Sequence, residues 1–196
     1  MKKDNEQLIR IVFGAVMAAI ICVITLFRIP LGQSKLHFAN AMCLLAGLLL
    51  GPVTGGLSAG LGSALYDVLF GGYDFLNAAI TFVSKFAMAW VAAVIFRALL
   101  KNRENAAVKE TVLPLILSCV AGALTYVALY MLKTWIFKMY VEPVPANTIP
   151  TVMIGKLVPS LINAAFAIVV APLFYHAVLP ALKSTGFFRQ LEGSKA

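Results

Sequence analysis

The sequence predicts an all-α integral membrane protein with six transmembrane helices and both termini in the cytoplasm. Three observations lead to this fold class: an apolar composition, six apolar runs and an uneven distribution of basic residues. Of the 196 residues, 61% are hydrophobic and 12% are charged, and the mean hydropathy is +0.92. Soluble domains carry about 25% charged residues. Residues 1–196 are therefore expected to form a single membrane domain in a lipid bilayer.

Basic residues give the chain its net charge of +8. In a membrane protein the short cytoplasmic loops collect lysine and arginine, so this charge does not indicate a nucleic-acid partner. Ten basic residues fall in segments assigned to the cytoplasm: Lys2, Lys3, Arg10, Arg97, Lys101, Arg103, Lys109, Lys183, Arg189 and Lys195. Four fall in the outer segments: Arg28, Lys35, Lys133 and Lys138. The other two, Lys85 and Lys156, lie within predicted spans.

The spans follow from the apolar runs, because a spanning helix needs about 20 mostly apolar residues. The predicted helices cover residues 8–27, 38–50, 54–70, 75–100, 111–132 and 148–182. The first resembles a signal peptide but has no small-residue cleavage site after it, so we expect a retained helix. The second is short and ends at Gly51-Pro52. In the sixth, Pro159 and Pro172 are candidate kink points because proline removes a helix hydrogen bond.

Two outer loops are long enough to do more than connect helices. The first outer loop, residues 28–40, reads "RIPLGQSKLHFAN" and ends on Asn40. The last outer loop, residues 133–148, reads "KTWIFKMYVEPVPANT". Both can be solvated connectors or a lid over an outward-facing site. The aromatic side chains of the last loop are also typical of the membrane interface.

Polar side chains form stripes on three of the predicted helices. On the fourth helix Asn77, Thr81 and Lys85 are spaced four apart and share a face,. The fifth and sixth helices carry similar stripes: Tyr126, Tyr130 and Lys133, and Lys156, Ser160 and Asn163. From the rise of a helix, Lys85 lies about 15 Å and Lys156 roughly 12 Å from the outer surface. The stripes predict a solute cavity that opens outward between helices four, five and six.

An intramembrane lysine can also be structural. Charged groups in spans face protein or water and usually pair with a partner. Asp67 or Asp74 can pair with Lys85 or Lys156 and only hold helices together, and Asp74 can instead cap the fourth helix. Both alternatives stay open at this point.

Small residues mark two close-packing faces. The third helix carries two small-xxx-small series, Gly56, Gly60 and Ala64, and Gly55, Ala59 and Ser63. Such faces let helices approach closely, and we expect this one to pack within the monomer. The first helix contains A-x-x-x-A at Ala15 and Ala19. That face is a candidate contact for another membrane protein.

Several catalytic and metal-binding patterns are absent from the sequence. It contains no P-loop motif and no H-E-x-x-H,. The two histidines, His37 and His176, are predicted on opposite sides of the membrane and cannot share a metal. The three cysteines contain no C-x-x-C and are interpreted as small buried apolar residues. We therefore expect that the chain has no catalytic residue, binds no metal and is not an enzyme.

Taken together, these features resemble the substrate-binding S components of energy-coupling factor (ECF) vitamin transporters. The likeness rests on the six-span layout, the G-P inner turn, a glycine-rich third helix ending in A-x-x-D, a lysine in the fourth helix and the A-x-x-x-A motif. It covers most of the chain and includes residues 36–96, "LHFANAMCLLAGLLLGPVTGGLSAGLGSALYDVLFGGYDFLNAAITFVSKFAMAWVAAVIF", which look like the family's second to fourth helices. The last outer loop and the sixth helix match in general layout.

This resemblance implies a multi-pass subunit of the bacterial cytoplasmic membrane that binds a vitamin or precursor from outside. Such a subunit works with a transmembrane coupling protein and two cytoplasmic ATPases, so ATP is used by the partners and no cofactor is expected on this chain. Ala15 and Ala19 match the docking motif. The implied ligand is riboflavin, hydroxymethylpyrimidine or a pyridoxine-like compound. The expected binding residues are Asn40, Asn77, Thr81, Lys85, Tyr126, Tyr130, Lys156 and Asn163.

Two other function classes remain open from the sequence. A self-sufficient secondary transporter would accumulate solute without ATPase partners. A small integral membrane enzyme would turn over a lipid or prenyl substrate, and the sequence offers no catalytic cluster for it.

Overall fold

The computed structural model describes residues 2–31, 34–101 and 108–184. This part of the chain contains six α-helices, one two-stranded hairpin and three short helical turns. The helices are α1 Lys2–Ile24, α2 Ala39–Leu50, α3 Pro52–Tyr66, α4 Phe75–Leu100, α5 Val108–Ile136 and α6 Ile149–Ser184. The strands are β1 Arg28–Leu31 and β2 Ser34–His37, and the turns are Asp67–Gly71, Phe137–Val141 and Ala146–Thr148.

Four helical segments of the described chain are long and apolar enough to cross a membrane: Gln7–Ile24, Phe75–Leu100, Thr111–Val141 and Ala146–Leu182. The fold is thus that of a helical membrane protein. The helix α2 is apolar but only 12 residues long, and α3 has 15 residues. Six full spans and cytoplasmic termini therefore stay predictions.

The short helix α2 lies at the centre of the bundle and packs against each of the other five helices. Its residues Ala39 to Leu49 are all buried. An apolar helix that is buried on every side needs no lipid-facing surface, which explains why α2 is hydrophobic all round. The core of the bundle therefore forms around α2.

Close approach of the helices around α2 depends on small residues. A Cβ atom at Gly47 would overlap the backbone carbonyl oxygen of Ala89 on α4, and one at Gly55 would overlap the carbonyl oxygen of Ala46. On α3, a Cβ at Gly60 would lie 2.8 Å from the ring of Phe82. These contacts confirm that the small-residue face of the third helix packs inside the monomer.

The predicted first outer loop contains a β-hairpin, which the all-α prediction did not include. Strand β1 pairs antiparallel with β2, with Arg28 opposite His37 and Leu31 opposite Ser34. A two-residue connection containing glycine is typical of hairpins, so the sequence did carry a signal. Each strand has only four residues, which is too short for an alternating pattern of apolar and polar residues to be recognised beside the long helical segments. Gln33 of this loop lies outside the described residues, so the choice between a connector and a lid stays open.

Several helix bounds also differ from the predictions. The helix α1 begins at Lys2 instead of residue 8, and α3 begins at Pro52, since proline suits the first helical position,. The predicted loop residue Asn40 lies in the first turn of α2. The bounds of α4 are those predicted. Gly51, with φ of 84°, makes the turn between α2 and α3.

We expect Gly47→Ala to lower the melting temperature of the purified protein, because the added Cβ meets backbone atoms of α4 that cannot move alone. Overpacking of this kind costs about 1–3 kcal/mol. The matched control is Gly155→Ala on α6, where a Cβ meets nothing within 4 Å. Replacing glycine in a helix removes a cost of roughly 0.5–1 kcal/mol, so the control should be as stable as the parent or more. Equal melting temperatures for the two variants would contradict close packing at Gly47.

Candidate ligand-binding cavity

A cavity of about 490 Å³ opens at one end of the bundle. Its lining residues come from the C-terminal parts of α1, α3 and α5 and the N-terminal parts of α2, α4 and α6, which meet at this end. We call it the cavity end, and it lies opposite the N-terminus of α1. Small-molecule sites typically have volumes of about 300–1,000 Å³, so the cavity has room for a ligand of vitamin size.

Most of the predicted binding residues come together in the cavity wall. The lining includes Asn40, Thr81, Lys85, Tyr126, Tyr130, Lys156 and Asn163. The sequence had placed these side chains on helices four, five and six and at the end of the first outer loop. Their convergence shows that the polar stripes face one another. Whether each side chain contacts a ligand stays a prediction.

Asn77, the eighth predicted binding residue, is not among the residues that line the cavity. Its backbone N–H donates to Asp74 Oδ1 at 2.7 Å, and its side-chain amide donates to Asp74 Oδ2 at 2.9 Å. Asp74 thus caps the N-terminus of α4, as one reading of the sequence expected,. These hydrogen bonds, first the backbone one, lower the pKa of Asp74. The stripe on α4 therefore enters the cavity at Thr81.

Lys85 is a buried member of the polar wall. Its side chain is buried, with 3% of its surface exposed. The ammonium group donates a hydrogen bond to Asn40 Oδ1 and lies 3.7 Å from the centroid of the Tyr126 ring. Among the described residues it forms no direct ion pair, and the Asp67 carboxylate acts on it electrostatically at longer range. An amide oxygen and an aromatic face together satisfy this cation and join α2, α4 and α5.

Aromatic rings form a second part of the wall. The rings of Tyr126 and Tyr130, one turn apart on α5, lie 6.1 Å apart at an angle of 21°. Tyr66 from the end of α3 and Tyr73 from the α3–α4 connection also line the cavity. Rings in such arrangements offer flat apolar surfaces with polar edges, and these surfaces suit a planar ligand.

Two more lysines and one acid line the cavity. Lys133 is half-buried and lies 5.3 Å from the ring centroid of Phe137. Lys156 is half-buried and has no hydrogen bond or ion pair with any residue that the structure describes. Asp67 supplies the one lining carboxylate in the described chain. The lining is therefore cationic overall.

Sequence reasoning missed the contribution of α1 and α3 to the wall. Thr25, Ser63, Tyr66, Tyr73 and Ser84 line the cavity without having been predicted. Ser63 had been assigned to helix packing, and its hydroxyl does lie 3.7 Å from Cys43 Sγ on α2. All six helices reach the cavity end. Polar and aromatic residues near that end of α1 and α3 could therefore have been predicted to line the cavity.

The candidate docking residues lie away from the cavity. Ala15 and Ala19 are exposed on α1, whereas Ala18, Ile21 and Cys22 of the same helix are buried. The A-x-x-x-A face is thus not used for packing within the described monomer. No group of three or more potential metal ligands occurs among the described residues.

Comparison with known proteins identifies related chains. The model of the family described as "ECF-type riboflavin transporter, S component" matches residues 5–179. A solved structure of the S component of a bacterial ECF transporter superposes with a TM-score of 0.58 at 20% sequence identity, covering 90% of this chain and 99% of that chain. At this identity the likeness shows the shared fold. Comparison with curated proteins gives no match.

We expect Lys85→Met to lower the melting temperature without ligand, because the buried amide oxygen of Asn40 loses its donor. Leaving a buried polar group unsatisfied costs about 1–3 kcal/mol. Lys101→Met, which removes an exposed lysine at the opposite end, is the matched control and should have no effect. In a double-mutant cycle with Asn40→Leu, the two substitutions should be clearly non-additive. Additive effects would show that the contact does not contribute to stability.

Proposed function

Because the chain belongs to the family of ECF-type riboflavin transporter S components, we propose that it is the substrate-binding subunit of an ECF importer. In this role it captures a vitamin or vitamin precursor outside the cell and delivers it across the bacterial cytoplasmic membrane. The family consists of transporter S components and is not an enzyme family. The ligand is riboflavin, hydroxymethylpyrimidine or a pyridoxine-like compound.

The observation that carries the proposal is the cavity at the end of the bundle. It combines a stacked tyrosine pair, buried hydrogen-bonding groups and a volume of about 490 Å³. Under the predicted topology, with cytoplasmic termini, the cavity end faces outside. A site with an apolar surface and a few fixed polar groups is what recognition of a small heterocycle requires.

The chain itself has no motif for using ATP. In the proposed mechanism two cytoplasmic ATPases hydrolyse ATP, and a transmembrane coupling subunit transmits the resulting movement. The exposed Ala15–Ala19 face of α1 docks on that subunit, since small side chains let a partner helix approach closely,. This division of labour accounts for a cavity and an exposed small-residue face on a chain whose sequence has no P-loop motif.

We expect Tyr130→Ala to weaken binding of the cognate vitamin to the purified protein. The variant removes half of the stacked pair, and an aromatic contact contributes about 0.5–1.5 kcal/mol, or roughly a two- to twelvefold rise in Kd. Isothermal titration calorimetry with riboflavin, hydroxymethylpyrimidine and pyridoxine measures the Kd of each compound for the parent and for the variant. The control Tyr140→Ala removes an exposed tyrosine of the last outer loop and should bind like the parent. An unchanged Kd for Tyr130→Ala would show that the stacked tyrosine pair does not contribute to ligand binding.

We expect Ala15→Trp or Ala19→Trp to abolish uptake in cells that contain the coupling subunits while leaving ligand binding intact. A bulky ring blocks close helix contact but lies far from the cavity. The matched control is Ala165→Trp, which places the same ring on an exposed alanine of α6 and should retain uptake. Loss of both uptake and binding in the α1 variants would indicate a folding defect instead. Uptake by proteoliposomes that contain this chain alone would favour a secondary transporter.

A further inference from the structure

The charges of the side chains that line the cavity indicate the charge of its ligand. Among the described residues the lining carries three lysines, Lys85, Lys133 and Lys156, against one carboxylate, Asp67. Cations in a partly enclosed cavity raise the local concentration of anions, because low-dielectric walls focus the field. The net positive charge of the described lining therefore favours an anionic ligand over a neutral one.

The three lysines differ in how far the protein already satisfies them. Lys85 is buried and bonded to Asn40 beneath the Tyr126 ring. Lys133 lies 5.3 Å from the ring centroid of Phe137 and within electrostatic range of the Asp67, Asp74 and Glu142 carboxylates. Lys156 has no hydrogen bond or ion pair within the described chain. Both are half-buried, so each can reach the cavity without first breaking an ion pair to a described carboxylate. Lys156 is therefore the cation most available to a ligand, and Lys133, whose charge the carboxylates partly balance, is the second.

The positions of the lysines also order them by depth. Counting the rise from the first residue of each helix, Lys156 lies about 10 Å and Lys85 about 15 Å from the cavity end,. The stacked rings of Tyr126 and Tyr130 lie on the same helix as Lys133, deeper in the bundle. A ligand with its ring against the tyrosines thus has its other end near the two available cations.

We propose that the cavity selects an anionic ligand, a flat heterocycle bearing a carboxylate or phosphate that Lys156 and Lys133 bind while the ring lies against Tyr126 and Tyr130. This inference rests on the proposed function and changes its substrate class from the neutral vitamin to an anionic derivative with the same ring. Charge-assisted hydrogen bonds to ammonium groups are stronger than neutral ones, so the anionic group supplies selectivity as well as affinity.

The test uses matched compounds that share a ring and differ in charge. Riboflavin is compared with riboflavin 5′-phosphate, and pyridoxine is compared with pyridoxine 5′-phosphate and with 4-pyridoxate, on the purified full chain in detergent. Comparing the phosphate compounds with the carboxylate compound shows which of the two anionic groups the cavity prefers. We expect the anionic member of at least one set to bind about tenfold or more tightly than the neutral one, the lower bound for one charged hydrogen bond.

Variants assign the preference to the lysines. Lys156→Gln should remove most of the preference and Lys133→Gln part of it, measured as the ratio of the Kd values for the neutral and anionic member of each matched set. Lys156→Gln should melt at the parent temperature without ligand, because Lys156 has no described protein partner. The matched control Lys138→Gln removes a lysine of the last outer loop that pairs with Glu142 at 2.6 Å, and it should keep the full preference.

The outcomes separate this inference from the function on which it rests. Equal or tighter binding of the neutral compounds, or a preference that survives in Lys156→Gln, overturns the anionic ligand and leaves the importer subunit in place. If no compound binds and no small molecule is released from the purified protein on denaturation, both the binding function and the inference are overturned.

Discussion

One buried cation organises the part of the molecule that matters for function. A lysine inside an apolar bundle must be satisfied by protein groups, because neither lipid nor the core can solvate it. Lys85 meets this requirement with the amide of Asn40 and the ring of Tyr126. The contact joins α2, α4 and α5 at one depth. Above it the helices leave the cavity open, and below it they close on one another.

Close packing of the helices away from the cavity depends on glycine residues, which have no side chain. At Gly47, Gly55 and Gly62 the backbone of a neighbouring helix occupies the space that a Cβ would take. Between helices in a bilayer, close van der Waals contact replaces the hydrophobic effect as a source of attraction. This packing surrounds α2 and holds the ends of the other helices in place. The cavity is thus a property of a rigid base and not of any single loop.

Binding and energy coupling are separated in space in the proposed importer. The cavity lies at one end of the bundle, and the exposed alanines of α1 lie on the side of that helix away from its packed face. A subunit built this way can keep its partner surface unchanged while the cavity lining changes with the ligand. The capped start of α4 at Asp74 and the ion pair between Lys138 and Glu142 stabilise connections at the cavity end without lining it.

The sequence by itself determined the membrane class, the positions of the long helices and the inward direction of Lys85, because the cost of exposing a charge or a backbone group to lipid constrains each residue locally. It also grouped Tyr126, Tyr130, Lys156 and Asn163 correctly on cavity-facing stripes. Only the tertiary structure decided that α2 is central, that α3 contributes Tyr66 and Ser63, and that Asn77 caps a helix instead. The reason is physical: lipid and protein interior are both apolar, so periodicity cannot tell a face toward lipid from one toward another helix.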